Sequence, residues 1–324
     1  SPVVSVNPAA AVKLQTLLPG EFADPGAGSG KTGAPTNRTA GVTFGVTVNV
    51  TDASWNKVLT ANPTVQMTTT DVYDAEPSSA QTSGGTITQF LTLVTAATQT
   101  VTAMPVPGGY TGSTSPVVAV DPNTATRAHL LLPGETHVPG SYNQSPTGKI
   151  GAPTPRTAGL AFGVTVYAVD DWYNRNTGAA STIQIQTSDP YDTEPSTVSF
   201  TAGMATFPVT MVRQDTSNLT TITATSTVLV STISPAFWVN PGPAVKLQIL
   251  VPGEAVAEGR APDGKTAAAP SPATAGTAFS VTVRAVDANW NKVASANPTV
   301  RINTSDIYDA EPSTETLVTG EFTF

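Results

Sequence analysis

The sequence predicts an all-β chain: tandem antiparallel β-sandwiches arranged as an extended rod. Three observations carry that expectation. Thr, Ala, Ser, Val, Pro and Gly dominate the 324 residues while only 12% are charged. Such a mixture favours short strands and turns, because β-branched residues suit a pleated surface and Pro and Gly interrupt helices. Apolar residues recur at every second position, the period of a half-buried strand. And one unit of sequence occurs three times.

The unit can be followed element by element. "SPVVSVNPAAAVKLQTLLPGE" (1–21) returns as "SPVVAVDPNTATRAHLLLPGE" (115–135) and "SPAFWVNPGPAVKLQILVPGE" (234–254). Prolines at "VNP", "VDP" and "VNPGP" limit freedom between one unit and the next. "TAGVTFGVTVNVTDASWNKV" (39–58) matches "TAGLAFGVTVYAVDDWYNRN" (157–176) and "TAGTAFSVTVRAVDANWNKV" (274–293). Within it Phe44, Val46, Val48 and Val50 point one way, with Gly45, Thr47 and Asn49 between them. Phe162, Val164, Val166 and Ala168 repeat the pattern, as do Phe279, Val281, Val283 and Ala285. "TVQMTTT", "TAGMATFPVTMV" and "TTITATSTVLVST" add short strands bounded by Gly, Pro, Asn and Asp. A period of about 115–120 residues with about seven strands fits a two-sheet sandwich rather than a solenoid.

These matches set the expected boundaries: residues 1–8 as the last strand of a preceding repeat, 9–121 as the first repeat, 122–240 as the second, and 241–324 as a third whose last strands are missing. The expectation is a window on a longer array. The alternative is a self-assembling filament or surface-layer subunit, its open sandwich completed by strand donation from a neighbouring chain.

"PGAGSGKT" (25–32) approaches a phosphate-binding loop, but Pro25 stands where the first glycine is required, and Gly33-Ala34-Pro35 would stop the helix that must follow. Its counterparts, "PGSYNQSPTGKIGAP" and "EGRAPDGKTAAAP", do not keep the glycines that would approach phosphate. It reads as a surface loop between strands.

The recurring carboxylates are the chemical candidates. Each unit carries Asp-x-Tyr-Asp-x-Glu-Pro: Asp71, Tyr73, Asp74 and Glu76; Asp189, Tyr191, Asp192 and Glu194; Asp306, Tyr308, Asp309 and Glu311. Upstream stand Asp52, Asp170 and Asp287, each followed four residues later by Asn56, Asn174 or Asn291, and each "PGE" ends in Glu21, Glu135 or Glu254. Calcium takes six to eight oxygens of these kinds, so the Asp and Glu residues are calcium-ligand candidates. Asp and Asn also initiate turns by bonding their own backbone. Trp55, Tyr173 and Trp290 share one position and could meet sugar, pack on a neighbouring unit, or cap the core. His129 and His137 lie only in the second unit and read as ordinary surface histidines. Sequons occur at Asn37, Asn49, Asn143, Asn218 and Asn303.

Composition narrows the classes. With no cysteine, disulfide scaffolds, cysteine-ligated zinc and thiol catalysis are excluded. A net charge of −8 argues against nucleic acid or an anionic membrane as partner. No apolar run approaches a membrane span. No G-x-S-x-G or H-E-x-x-H occurs, and three near-identical carboxylate sets without an aromatic cleft do not suggest a glycosidase.

The order "TAGxxFxVTVxAVDxxxN…TVxxxTSD…TFxVT…TATS…SPxxxVNPGPAVKLQ" resembles the tandem immunoglobulin-like (Ig-like) repeats of large bacterial surface and secreted proteins, loosely related to those of invasin- and intimin-type adhesins. The resemblance covers nearly the whole chain and rests mostly on strand and turn residues. It implies Ig-like sandwiches outside the cell, acting as spacers, stalks or adhesive modules, with no catalytic or cofactor residues to carry over. Partners would be neighbouring copies of the same repeat, surface glycans or a partner cell surface. The "PGE…KTGAP" loop and the D-x-Y-D-x-E-P signature depart from the commonest form of that family, and a calcium- or carbohydrate-binding module is the less favoured reading.

Overall fold

The structure is a computed structural model describing residues 2–266 and 268–324. Among these residues there are strands and turns and no helix. They form two compact units: residues 2–127, 137–150 and 168–179, and residues 128–136, 151–167, 180–266 and 268–324. The division falls inside the second sequence repeat.

In the first repeat, Lys13–Leu17 and Thr86–Leu91 flank Phe44–Thr51 in one antiparallel sheet. The other sheet runs Ser113–Thr114, Val101–Val106, Thr64–Thr69, Ala80–Gln81. Arg38–Thr39 pairs in parallel with Val118–Asp121, which pairs on its other side with Thr98–Gln99 in a third, short sheet. This strand partition makes the repeat an Ig- or fibronectin-type sandwich.

Alternation fixes the register. Val46, Val48 and Val50 are fully buried and pack in one core with Val65, Met67, Val101 and Ala103 of the facing sheet. A one-residue slip would turn Gly45, Thr47 and Asn49 inward instead. Each buried valine contributes on the order of 1.5 kcal/mol. On the outer face Thr47 and Thr88 bond hydroxyl to hydroxyl at 2.9 Å across the strands, one of the pair types that support a half-exposed sheet.

The second repeat follows the same order. Arg127–Leu131, Phe162–Val169 and Met204–Val209 form one sheet, and Val198–Ser199, Thr182–Thr187, Ile222–Thr225 and Thr232–Ile233 the other. Arg156–Thr157 is again parallel to the last strand, Phe237–Asn240. Val164, Val166, Ile183, Ile185, Phe207 and Ile222 are buried.

In the third repeat Lys246–Leu250, Thr282–Val286 and Glu321–Thr323 form a sheet, and Thr299–Val300 pairs with Glu315–Thr316. Val283 and Ala285 are buried as the alternation predicts, but Phe279 is 52% exposed. Its counterpart Phe162 meets Phe237 of the last strand edge to face, centroids 6.2 Å apart. Among the described residues the third repeat offers no such strand.

Candidate functional site

The recurring polar residues collect at the junctions between repeats. Each junction lies wholly within one compact unit.

The turn after the central strand is organised by one aspartate. One oxygen of Asp52 accepts from the N–H groups of Ser54 and Asn56, the other takes the Ala9 N–H at 2.9 Å, and the Asn56 amide donates to both. The Asn56 amide, chiefly, holds the Asp52 carboxyl below its ordinary range, against the opposing effect of burial. Asp170 and Asp287 repeat the set, taking the N–H of Asn123 and of Gly242 from the link that enters each repeat. With that much fixed, Trp55, Tyr173 and Trp290 are held at φ of 67, 64 and 68°, a left-handed backbone that bulky residues rarely adopt.

The asparagine four residues on reaches across the junction. Asn174 donates Nδ2 to Val94 O and accepts from Ala96 N, both at 2.8 Å. Asn291 donates to Val212 O and accepts from Gln214 N, again both at 2.8 Å. Each asparagine is fully buried. It reads a peptide segment by its backbone, one carbonyl and one amide two residues apart, so its recognition is independent of the side chains in that segment.

The same segment is held from behind by the Asp-x-Tyr-Asp-x-Glu signature. Asp71 accepts from Val94 N and Thr95 N, both at 2.7 Å, and from Thr95 Oγ1 at 2.6 Å. Asp189 accepts from Val212 N and Arg213 N at 2.7 and 2.8 Å. Asp74 and Glu76 close the loop onto Thr69, through its hydroxyl and its N–H. Asp192 and Glu194 do the same with Thr187. In the third repeat Asp309 and Glu311 keep these bonds to Thr304, while Asp306 is exposed and accepts from Tyr308 N. Burial, with repulsion from Glu76 and Asp71, pushes Asp74 up to about 6, and Asp192 rises to about 6 in the same way.

The candidate calcium ligands are thus placed as acceptors for the chain's own N–H and O–H groups. Among the described residues no three His, Asp or Glu side chains come together as a group that could hold a metal ion.

Contacts between repeats are tightened by glycine. Gly41 lies against the Trp172 ring, where a Cβ would sit 1.8 Å from a ring carbon, and a Cβ on Gly159 would sit 2.6 Å from Asn289 Nδ2. Gly140 packs on Thr95 and Tyr73, and Gly259 on the Arg213 backbone. The second junction adds a polar arm, with Gln214 Nε2 donating to Glu258 at 2.6 Å while Glu258 also pairs with Arg284.

Trp55, Tyr173 and Trp290 do not face the neighbouring repeat. Trp55 lies on Gly30 and donates Nε1–H to Gly28 O at 3.2 Å, and Lys13 Nζ sits 3.4 Å from its ring centroid. Tyr173 lies on Gly148 beneath Arg127, and Trp290 on Gly264 beneath Lys246. The aromatic that meets the neighbour is the preceding residue, Trp172. The left-handed turn swings adjacent side chains apart in a way that alternation does not foresee.

The loop that spells "GSGKT" is a hairpin. Glu21–Ala23 pairs with Lys31–Gly33, and Lys31 bonds Glu21 at 2.7 Å. What the three copies share is the Gly-Lys pair itself: the glycine admits the aromatic ring, and in the first and third copies the lysine neutralises the "PGE" glutamate (Lys265 to Glu254, 2.7 Å).

His129 corrects the surface reading. It is 4% exposed and occupies the position of Gln15 and Gln248, whose amides reach the carbonyls of Gly30 and Gly264. His137 is partly buried, and loss of solvation lowers it to about 4.

No protein-family model matches the chain, and no curated protein matches it. Among solved structures it is similar to β-glucuronidase 3 of Bacteroides uniformis, at 10% identity over 63% of this chain and 23% of that one, TM-score 0.24. It is also similar to the D0–D1 domain of intimin, at 15% identity over 68% of this chain and 97% of that one, TM-score 0.25. Domains 4–9 of the surface-layer protein SbsC match at 15% identity over 92% of this chain and 40% of that one, TM-score 0.25. The chain spans about a quarter of the glucuronidase's length. The strands and sheets of the chain itself, not these partial likenesses, establish the fold.

Proposed function

We propose that this chain is a non-enzymatic structural or adhesive repeat region of an extracellular surface or filament protein, a serial spacer built from Ig-like sandwiches. The observation that carries the reading is the duplicated junction. The most repeated polar residues, Asp52/Asp170/Asp287, Asn174/Asn291 and Asp71/Asp189, serve turns and the contacts between successive repeats, which is what a spacer needs and a catalyst does not. A cysteine-free, sparsely charged, Thr- and Ser-rich chain is consistent with exposure outside the cell. Antibodies to this chain should label intact cells of its source. Labelling seen only after the cells are permeabilised would overturn the proposal.

A further inference from the structure

Two junctions inside the chain are closed, and the end of the first repeat carries a third that is open. We propose that this end, marked by Asn56, Ser54 and Gly26, is the docking site for one more sandwich of the same kind, the one whose closing strand is residues 2–8. The inference rests on the reading of the repeats as serial structural modules.

Asn56 sits in the same aspartate-held turn as Asn174 and Asn291, and its amide keeps the bond to Asp52 at 3.0 Å. Among the described residues its side chain bonds Asp52 alone. Asn174 and Asn291 are fully buried, while Asn56 is only half-buried. One amide N–H and the carbonyl oxygen that grip a peptide segment in the closed junctions are therefore unengaged. Gly26 donates its N–H to Ser54 O at 2.8 Å, as Gly140 does to Trp172 O and Gly259 to Asn289 O. Those two glycines are pressed against the preceding repeat, yet a Cβ on Gly26 would meet nothing within 4 Å.

The link into the site is already in its closed form, since Ala9 N–H bonds Asp52 as Asn123 N–H bonds Asp170. Just before it, Val4 and Val6 are 79% and 89% exposed. Their counterparts in the repeat are buried: Val118 and Val120 at 2% and 5%, Phe237 and Val239 at 2% and 1%. Residues 2–8 thus have the sequence of a strand whose apolar side belongs in a core, and that strand is joined to the open site as the closed ones are. The occupant is a sandwich of this type in the same polypeptide. It would present a carbonyl and an N–H two residues apart, backed by an aspartate equivalent to Asp71.

The test is a chain with a second copy of residues 9–114 joined ahead of Ser1, so that residues 1–8 stand where 115–122 stand naturally, read by hydrogen–deuterium exchange. The amides of Val4 and Val6 should become protected. Asn56→Ala should speed exchange about tenfold at the added copy's amide equivalent to Ala96, the same change expected at Ala96 for Asn174→Ala in the natural chain. Asn56→Ala in the natural chain removes the amide's bond to Asp52 with no docked partner present, so any change in its own core strands measures the folding contribution, which the change at the added amide should exceed. Val4 and Val6 remaining labile, or no change at the added amide, would overturn the proposal. So would protection of Val4 and Val6 in the natural chain that grows with concentration, since that is strand donation between chains. None of these outcomes alters the cell-labelling result, so the two readings fail separately.

Discussion

Asp71 shows how one carboxylate can set a loop. Both of its oxygens accept from the segment Val94–Thr95, and one also takes the Tyr73 N–H. Asp71→Asn must aim an amide NH₂ at N–H and O–H donors, leaving buried groups unpaired. The expected cost is about 3 kcal/mol in urea unfolding, and a cost below about 1 kcal/mol would mean the loop holds without it. Asp74 and Asp192 behave differently, because burial and neighbouring carboxylates raise them to about 6. A carboxyl raised above its unfolded value of 3.8 binds more protons folded than unfolded between those values. Its contribution is therefore present below about pH 4 and is lost as pH rises through about 6. His137, lowered to about 4, has the opposite sign and favours the folded state as pH rises toward its unfolded 6.5. Replacing Asp74 and Asp192 by Asn keeps an acceptor for Thr69 and Thr187 and removes the titration. The double variant should gain stability relative to the native chain between pH 4 and 7, and a difference that does not change with pH would refute the assignment.

Among the elements, the strands were legible in the sequence and the turns only partly. Val46, Val48 and Val50 were readable as core because a period of two has one physical meaning in a half-buried sheet. The exposure of Phe279 was not, since alternation says which side a residue faces but not whether a strand stands opposite. Trp172 was missed for a related reason. The turn Asp170–Asn174 holds Tyr173 at φ 64°, and a local reversal is invisible to periodicity. The role of Asn174 was hidden because it recognises backbone, which leaves no complementary residue pattern in its target. The Gly-Lys pair was visible in all three copies, but its meaning lay in an aromatic far along the chain. Trp55 follows Gly30 by 25 residues, Tyr173 follows Gly148 by 25, and Trp290 follows Gly264 by 26. Gly30 makes the argument testable, since at φ 73° a Cβ would lie 2.2 Å from the Trp55 ring. Gly30→Ala should cost about 2–4 kcal/mol, combining left-handed strain with overpacking. Gly26→Ala, at φ 83° with open space around it, should cost only the strain, about 1–2 kcal/mol. Equal losses in urea unfolding would show that the ring contact contributes nothing.

At the scale of the whole molecule, repetition makes stability a sum of sandwich and junction contributions, as in other arrays where each unit meets only its neighbours. The two closed junctions share no residue: Asn174 grips Val94–Ala96, and Asn291 grips Val212–Gln214. Each variant should therefore act on its own junction. Asn174→Ala should speed amide exchange at Ala96 and leave Gln214 unchanged, Asn291→Ala should do the converse, and the double variant should show both changes at the sizes of the single ones. Sites without shared partners add to within about 0.5 kcal/mol, or roughly a factor of two in exchange rate. The second junction should loosen less, because Gln214 keeps its side-chain bond to Glu258 when Asn291 is removed. Removing that arm by Glu258→Ala alongside Asn291→Ala should bring Gln214 to the level of Ala96 in Asn174→Ala. If instead a change at one junction altered exchange at the other, the repeats would be a single cooperative body and the serial-spacer reading would lose its physical basis.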